Sequence, residues 1–264
     1  MQVDLAPSPN FNDRKFPVDM LVLHYTGMDS GDAALARMRD PASEVSAHYM
    51  VWEDGRITQL VGEDKRAWHA GVSTWQGDDD LNSRSIGVEI VNGGHDVPLA
   101  DGTLPPYPDA QIDAVIALCH SIFVCHTIPA SRVVAHSDIA PARKTDPGEH
   151  FPWARLAAAG IGLWPAAGPE NHGDEILLPG DTSETVRHAQ SSLRTIGYGL
   201  EATGIYDDAT RLTVTAFQRH WLPDTLTGHG DARTLARLRD VYAAVTASSD
   251  PSSTSSSSSG SRTS

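Results

Sequence analysis

Apolar residues in this chain come in short runs separated by Gly, Pro and Asp, and the period of each run predicts an element. Residues 18–24, VDMLVLH, fit a buried strand. Residues 47–53 read as a second strand that ends at the turn Glu53-Asp54-Gly55, and residues 56–61 complete a hairpin with it. The segment 85–92, SIGVEIVN, places small or apolar residues around Glu89 and stops at Gly93-Gly94, which predicts a central strand carrying one acidic side chain. Ile112, Val115, Ile116, Leu118, Cys119, Ile122 and Phe123 recur at helical spacing over residues 109–126, and residues 131–135 supply another short strand. Strands interleaved with helices predict a mixed α/β domain over residues 1–165.

After Trp164 the sequence PAAGPENHGD, dense in Pro, Gly and polar residues, marks a linker over residues 166–175. Residues 176–246 then show a periodicity of their own. Amphipathic stretches at 185–196, 208–220 and 232–244 predict a second, smaller domain of three helices. The tail 247–264 is nearly all Ser with Thr and Gly, buries too little apolar surface to offset its ordering entropy, and is expected to be disordered.

Composition narrows the partners. Against 34 Asp and Glu stand 20 Lys and Arg, a formal charge of −14, so the field of the protein opposes binding to a phosphate backbone and nucleic acid is not expected. No stretch reaches the roughly 18 consecutive apolar residues of a membrane span. The start MQVDLAPSPNFNDRKF lacks the basic-then-apolar layout of a secretory signal, which makes the cytoplasm the expected location. Cys119 and Cys125 lie six apart on one helix, about 240° around its axis, so they are expected to be unpaired, buried thiols. The count of 12 His is the conspicuous feature, since imidazole is the commonest metal ligand.

Three candidate ligands sit where the chain leaves a strand or enters a loop: His24 in LVLHYTG, His136 in VVAHSDIAP and Asp146 in ARKTDPG. Two imidazoles and one carboxylate are the ligand set of a catalytic zinc that keeps its fourth position open. On residue types and spacing alone, ordinary structural histidines at strand ends remain an alternative.

The segments LVLHYTG, AHYMVWEDGRITQLVGEDKRAWHAG, NSRSIGVEIVN and VVAHSDIAPARKTDPG, in this order, resemble the type 2 zinc-dependent N-acetylmuramoyl-L-alanine amidases, relatives of the peptidoglycan recognition proteins and phage amidase lysozymes. The likeness covers residues 15–165. It implies a mixed central β-sheet flanked by helices, Zn²⁺ held by His24, His136 and Asp146, Glu89 as general base and Lys144 as oxyanion stabiliser. A salt bridge from Glu89 to Arg84 or Lys144 is the structural alternative. Trp68 and His69, in a segment resembling a family loop at the cleft rim, are candidate substrate contacts, as are His48 and Asn92. For His69 and His48, ordinary packing is the alternative. The pairs Cys119-His120 and Cys125-His126 are not expected to form a second metal site, and His95, His150, His172, His188, His220 and His229 carry no chemical context beyond exposed or capping roles.

Residues 176–242 resemble the three-helix peptidoglycan-binding domain attached to many wall hydrolases, through TVRHAQSSLRTIGY, TGIYDDATRLTVTAFQRHW and LTGHGDARTLARL, with a repeated Gly-x-x-Asp-x-x-Thr turn. A helical appendage that only packs on the amidase domain is the alternative. Together the resemblances imply hydrolysis of the amide between N-acetylmuramic acid and L-alanine, in peptidoglycan or its (anhydro)muropeptide fragments, during wall turnover or recycling. A non-catalytic muropeptide-recognition protein and a different amide or ester hydrolase are the other function classes. The wall-binding resemblance also opens a periplasmic location.

Overall fold

The computed structural model describes residues 2–168 and 176–248. Its first part is a sheet of six strands. They are β1 (Asp4–Leu5), β3 (Met20–Tyr25), β4 (Tyr49–Val51), β5 (Ile57–Gln59), β7 (Ser85–Ile90) and β8 (Val133–Ala135), in the order β1-β5-β4-β7-β3-β8. Only the β4–β5 hairpin is antiparallel. A separate ribbon pairs β2 (Phe11–Asp13) with β6 (Lys65–Ala67). Helices α1 (Gly31–Arg39), α2 (Leu81–Arg84), α3 (Asp109–Cys125), α4 (His136–Ile139) and α5 (Trp153–Ala158) connect and flank the strands. The mixed α/β class expected from the interleaved pattern is the class observed.

Strand alternation sorts the two faces. Leu21 and Leu23 of β3 and Ile86, Val88 and Ile90 of β7 point to one side, where Ile112, Val115, Leu118, Cys119 and Ile122 of α3 cover them. Each such side chain, fully buried, contributes roughly 1.5–3 kcal/mol. The opposite face carries Met20, Val22 and His24 of β3 and Ser85, Gly87 and Glu89 of β7, so the side that holds the candidate chemistry is also the more polar one.

Helices α6 (Glu184–Ile196), α7 (Asp208–Trp221) and α8 (Ala232–Ser248) form the second domain. The repeated turn motif seen in the sequence has a shared geometry. Gln190 of α6 donates to Thr203, to the Ile205 carbonyl and to Thr210, and accepts from the Gly204 N–H; Gln218 of α7 donates to Thr227, to the His229 carbonyl and to Thr234, and accepts from the Gly228 N–H. Asp207 accepts from the Thr210 N–H and Asp231 from the Thr234 N–H, each satisfying an orphan donor of a helix start. Each helix-to-helix turn is therefore pinned by one buried glutamine and one capping aspartate.

This domain does not stand apart from the sheet. Met20, Val22, Trp75, Val134 and Ile139 share one apolar cluster with Val186, Leu193, Ile196, Tyr198 and Phe217. Trp75 meets Tyr198 edge-on at 5.0 Å. Gly197 beside it has φ +149°, and a Cβ there would lie 2.4 Å from the Trp75 ring. The Gly-Tyr pair of the motif is therefore one of the places where the two parts touch.

Several expectations change. Cys119 is buried but Cys125 is exposed, because α3 turns that side of its last turn to solvent. Residues 247 and 248, expected in the disordered tail, complete α8, and the rest of that tail lies outside the described residues, as do most of the linker and His172. Among the described residues no helix is long and apolar enough to cross a membrane.

Candidate active site

Parallel pairing of β3 with β7 sets His24 abreast of Glu89, so both side chains leave the same face at the carboxyl ends of their strands. His136 opens α4 directly after β8, the strand on the other side of β3. Asp146 comes from the following loop, which is tied to α4 by the Ser137 N–H donating to the Asp146 carbonyl at 3.0 Å. These elements bring His24 Nδ1, His136 Nδ1 and Asp146 Oδ2 into a triangle with edges of 2.9, 3.0 and 3.0 Å. All three residues are buried.

The surrounding hydrogen bonds decide where the protons are. His136 Nε2 lies 3.2 Å from the Ala70 carbonyl, which can only accept, so Nε2 carries a proton and the neutral ring turns its Nδ1 lone pair into the triangle. For His24 the assignment runs through a relay. The Ser85 hydroxyl donates to the Leu81 carbonyl at 2.6 Å and so accepts from His69 Nε2–H at 3.2 Å; His69 Nδ1 then accepts from His24 Nε2–H at 3.1 Å. Burial holds the His69 ring well below the usual histidine range, helped by neighbouring His24, and the neutral ring has one proton to give. His24 is likewise lowered to about 4, by burial and then by His136. With both rings neutral, the triangle presents two imidazole lone pairs and a carboxylate oxygen, the donor set of a metal ion. A tetrahedral ion with bonds of about 2.0–2.1 Å separates its ligands by roughly 3.3 Å, close to the edges found here.

The relay depends on Gly87. His69 lies flat over it, and a Cβ at position 87 would fall 2.4 Å from His69 Cγ. Gly87→Ala is therefore expected to push the imidazole off His24 and weaken metal binding about 10–100-fold, as loss of an outer-sphere partner typically does. A chelator competition titration reads this directly, and unchanged affinity would show that His69 does not orient His24.

A cleft of about 280 Å³ opens over the triangle, walled by Tyr25, Met38, Trp68, His69, Glu89 and Lys144 among others. Glu89 Oε2 is buried without a hydrogen-bond partner. Burial and then the Asp146 charge push its carboxyl well above the usual range, against the pull of Lys144. The salt-bridge alternative for Glu89 is not what forms: Arg84 pairs with Asp19 and Asp78. Lys144 lines the cleft and makes no ion pair among the described residues.

Of the candidate substrate contacts, Trp68 and His69 line the cleft, whereas His48 and Asn92 do not. His48 is fully buried, accepts from the Gly87 N–H at 2.9 Å, and faces Arg14 and the Lys65 carbonyl with its other nitrogen. Asn92 braces the loop after β7, donating to the Pro105 carbonyl and accepting from the Gly94 N–H. Both are corrections with one cause: short backbone-directed bonds hold these side chains away from the opening. His220, expected to be exposed or capping, is buried against Asp138. His95 and His150 also gain partners, Tyr25 and Glu149 for the first and Asn92 for the second. A larger groove of about 700 Å³ runs between Trp164–Gly168 and the α7–α8 turn, and none of the three triangle residues lines it.

Comparison with known proteins agrees with this geometry. The N-acetylmuramoyl-L-alanine amidase family profile matches residues 14–149, and a peptidoglycan-binding domain profile matches residues 182–238. The chain is 39% identical over 231 residues to N-acetylmuramoyl-L-alanine amidase AmiD of Escherichia coli K12, spanning 83% of this chain and 80% of that protein. It is 37% identical over 172 residues to 1,6-anhydro-N-acetylmuramyl-L-alanine amidase AmpD of the same organism, spanning 57% and 88%. Among solved structures, AmiD from E. coli in complex with anhydro-N-acetylmuramic acid-L-Ala-D-γ-Glu-L-Lys superposes with a TM-score of 0.74 at 36% identity, covering 90% of this chain and 91% of that one. AmpDh3 from Pseudomonas aeruginosa in complex with anhydromuramic pentapeptide gives 0.69 at 34% identity, covering 84% and 90%. By profile and by overall likeness, the chain belongs to the N-acetylmuramoyl-L-alanine amidase family.

Proposed function

We propose that the protein is a zinc-dependent amidase that cleaves the bond between the lactyl carbonyl of N-acetylmuramic acid and the amino group of L-alanine in muropeptides, the 1,6-anhydro form included. The observation that carries this reading is the buried triangle of His24, His136 and Asp146 beside Glu89, whose Oε2 has no hydrogen-bond partner. Two imidazoles and one carboxylate suit Zn²⁺ with an open fourth position. When bound there, Zn²⁺ supplies Lewis acidity, acidifying water and polarising the scissile carbonyl.

The chain's own groups do the rest. Glu89 Oε2 takes a proton from the attacking water and delivers it to the departing amine of L-alanine, a contribution of about 10²–10⁴-fold. Its burial, and then the Asp146 charge, raise its basicity. The Lys144 ammonium meets the negative charge that grows on the carbonyl oxygen. Trp68, on the cleft wall, offers an apolar face to the sugar or the stem peptide. The relatives solved with anhydromuramic peptides support this substrate class.

Product mass analysis tests the reading. Incubation with purified anhydromuropeptides, and separately with intact sacculi, is expected to release stem peptides with a free L-alanine amino group from an uncut sugar. Cleavage within the glycan or within the stem, or release undiminished after metal removal, would overturn it.

A further inference from the structure

We propose that the C-terminal helical domain is a working part of the metal centre, with Tyr198, Arg219 and His220 acting as positioning residues for the segments that carry His136 and Asp146. The inference rests on the amidase reading above and assigns these side chains a role separate from wall attachment.

The key group is Asp138, fully buried two residues after His136. Its Oδ2 accepts from the Ala135 N–H at 2.8 Å and so caps α4, the turn that His136 opens. The same oxygen accepts from His220 Nδ1–H at 2.6 Å, and Oδ1 accepts from the Tyr198 hydroxyl at 2.7 Å. Side chains of the helical domain therefore satisfy a carboxylate that sits inside the amidase domain. Without them it would be buried and under-bonded, a costly state for a charged group. The His220 ring has no freedom to leave: it is stacked between Trp153 at 3.9 Å and Trp221 at 4.0 Å.

The preceding residue of α7 reaches the other ligand loop. Arg219 donates to Glu149 at 3.2 Å, and Glu149 bonds His95, which bonds the Tyr25 hydroxyl at 3.1 Å. That hydroxyl lies 2.8 Å from Thr145 Oγ1, one residue before Asp146. Consecutive residues of one helix thus brace both the turn of His136 and the loop of Asp146. A domain that only delivered the enzyme to the wall would need neither contact.

The test uses the full-length chain. Tyr198→Phe removes one hydroxyl, and His220→Phe keeps a flat ring in the tryptophan stack without its donor. Zinc affinity is measured by competition with a chromogenic chelator at a temperature where circular dichroism shows each variant folded. Each variant is expected to bind zinc about tenfold more weakly, in the range of outer-sphere losses, and the double variant more weakly still. Gln218→Ala, which loosens the α7–α8 turn and makes none of these contacts, is expected to lower Tm at unchanged zinc affinity. Wild-type affinity in both Phe variants, or an equal loss in Gln218→Ala, would overturn the proposal. If the wild type itself binds no zinc, or His24→Ala binds it as tightly, the amidase reading fails instead.

Discussion

Asp146→Ala is expected to leave the chain without bound zinc and to lower turnover by about 10³-fold or more, since a Lewis acid at the carbonyl is worth several kcal/mol. Asp146 supplies the only formal negative charge in the ligand triangle. Without it, two imidazole nitrogens face each other at 2.9 Å with no carboxylate to offset the charge of an ion. The loss should be selective. The loop remains tied through the Asp146 backbone carbonyl, which accepts from the Ser137 N–H whatever side chain is present. Metal content by mass spectrometry and amide hydrolysis measured on the same preparation check this. Chelation should reduce the wild type to the level of the variant, and added zinc should restore the wild type alone. A variant that keeps one metal per chain and normal turnover would remove Asp146 from the site.

The second large effect expected is at Glu89, where Gln should cost about 10²–10⁴-fold in kcat with little change in KM. Zinc content should stay at the wild-type level, which separates a proton-transfer role from a ligand role. Stability should move the other way. Glu89 Oε2 is buried with no hydrogen-bond partner, a penalty that a neutral amide of the same shape lessens. The variant is therefore expected to melt at or above the wild-type temperature. A simultaneous gain in Tm and loss in kcat is the signature of a group kept for chemistry at the expense of stability. Equal kcat in Glu89→Gln would exclude the carboxylate as the base.

How far the sequence alone reached depended on the range of the interactions. The capping turns of the helical domain are legible because Asp207 and Thr210, or Asp231 and Thr234, bond across only three residues. His24, His136 and Asp146 are legible as candidates because each ends a short apolar run or lies in a long motif. The alignment of His24 with Glu89 is not, because β3 and β7 are brought into register by packing over the whole sheet, under α3. His220 carries no local mark of its role: its partner Asp138 is 82 residues away and belongs to the other domain. The same holds for His69, whose place in the relay requires Ser85 and the bare backbone of Gly87 beneath its ring. Helix α1 has too weak an apolar pattern to stand out, and only the cap in which Ser30 accepts from the Ala33 N–H signals its start.

The apolar cluster that joins Met20, Val22 and Val134 to the C-terminal helices also bears on how the enzyme meets a polymer. Two bodies that share one core melt together, so heating should give a single cooperative transition. They also cannot swing apart during turnover. The cleft is thus built on one rigid body, and whatever enters it meets walls that are already in place.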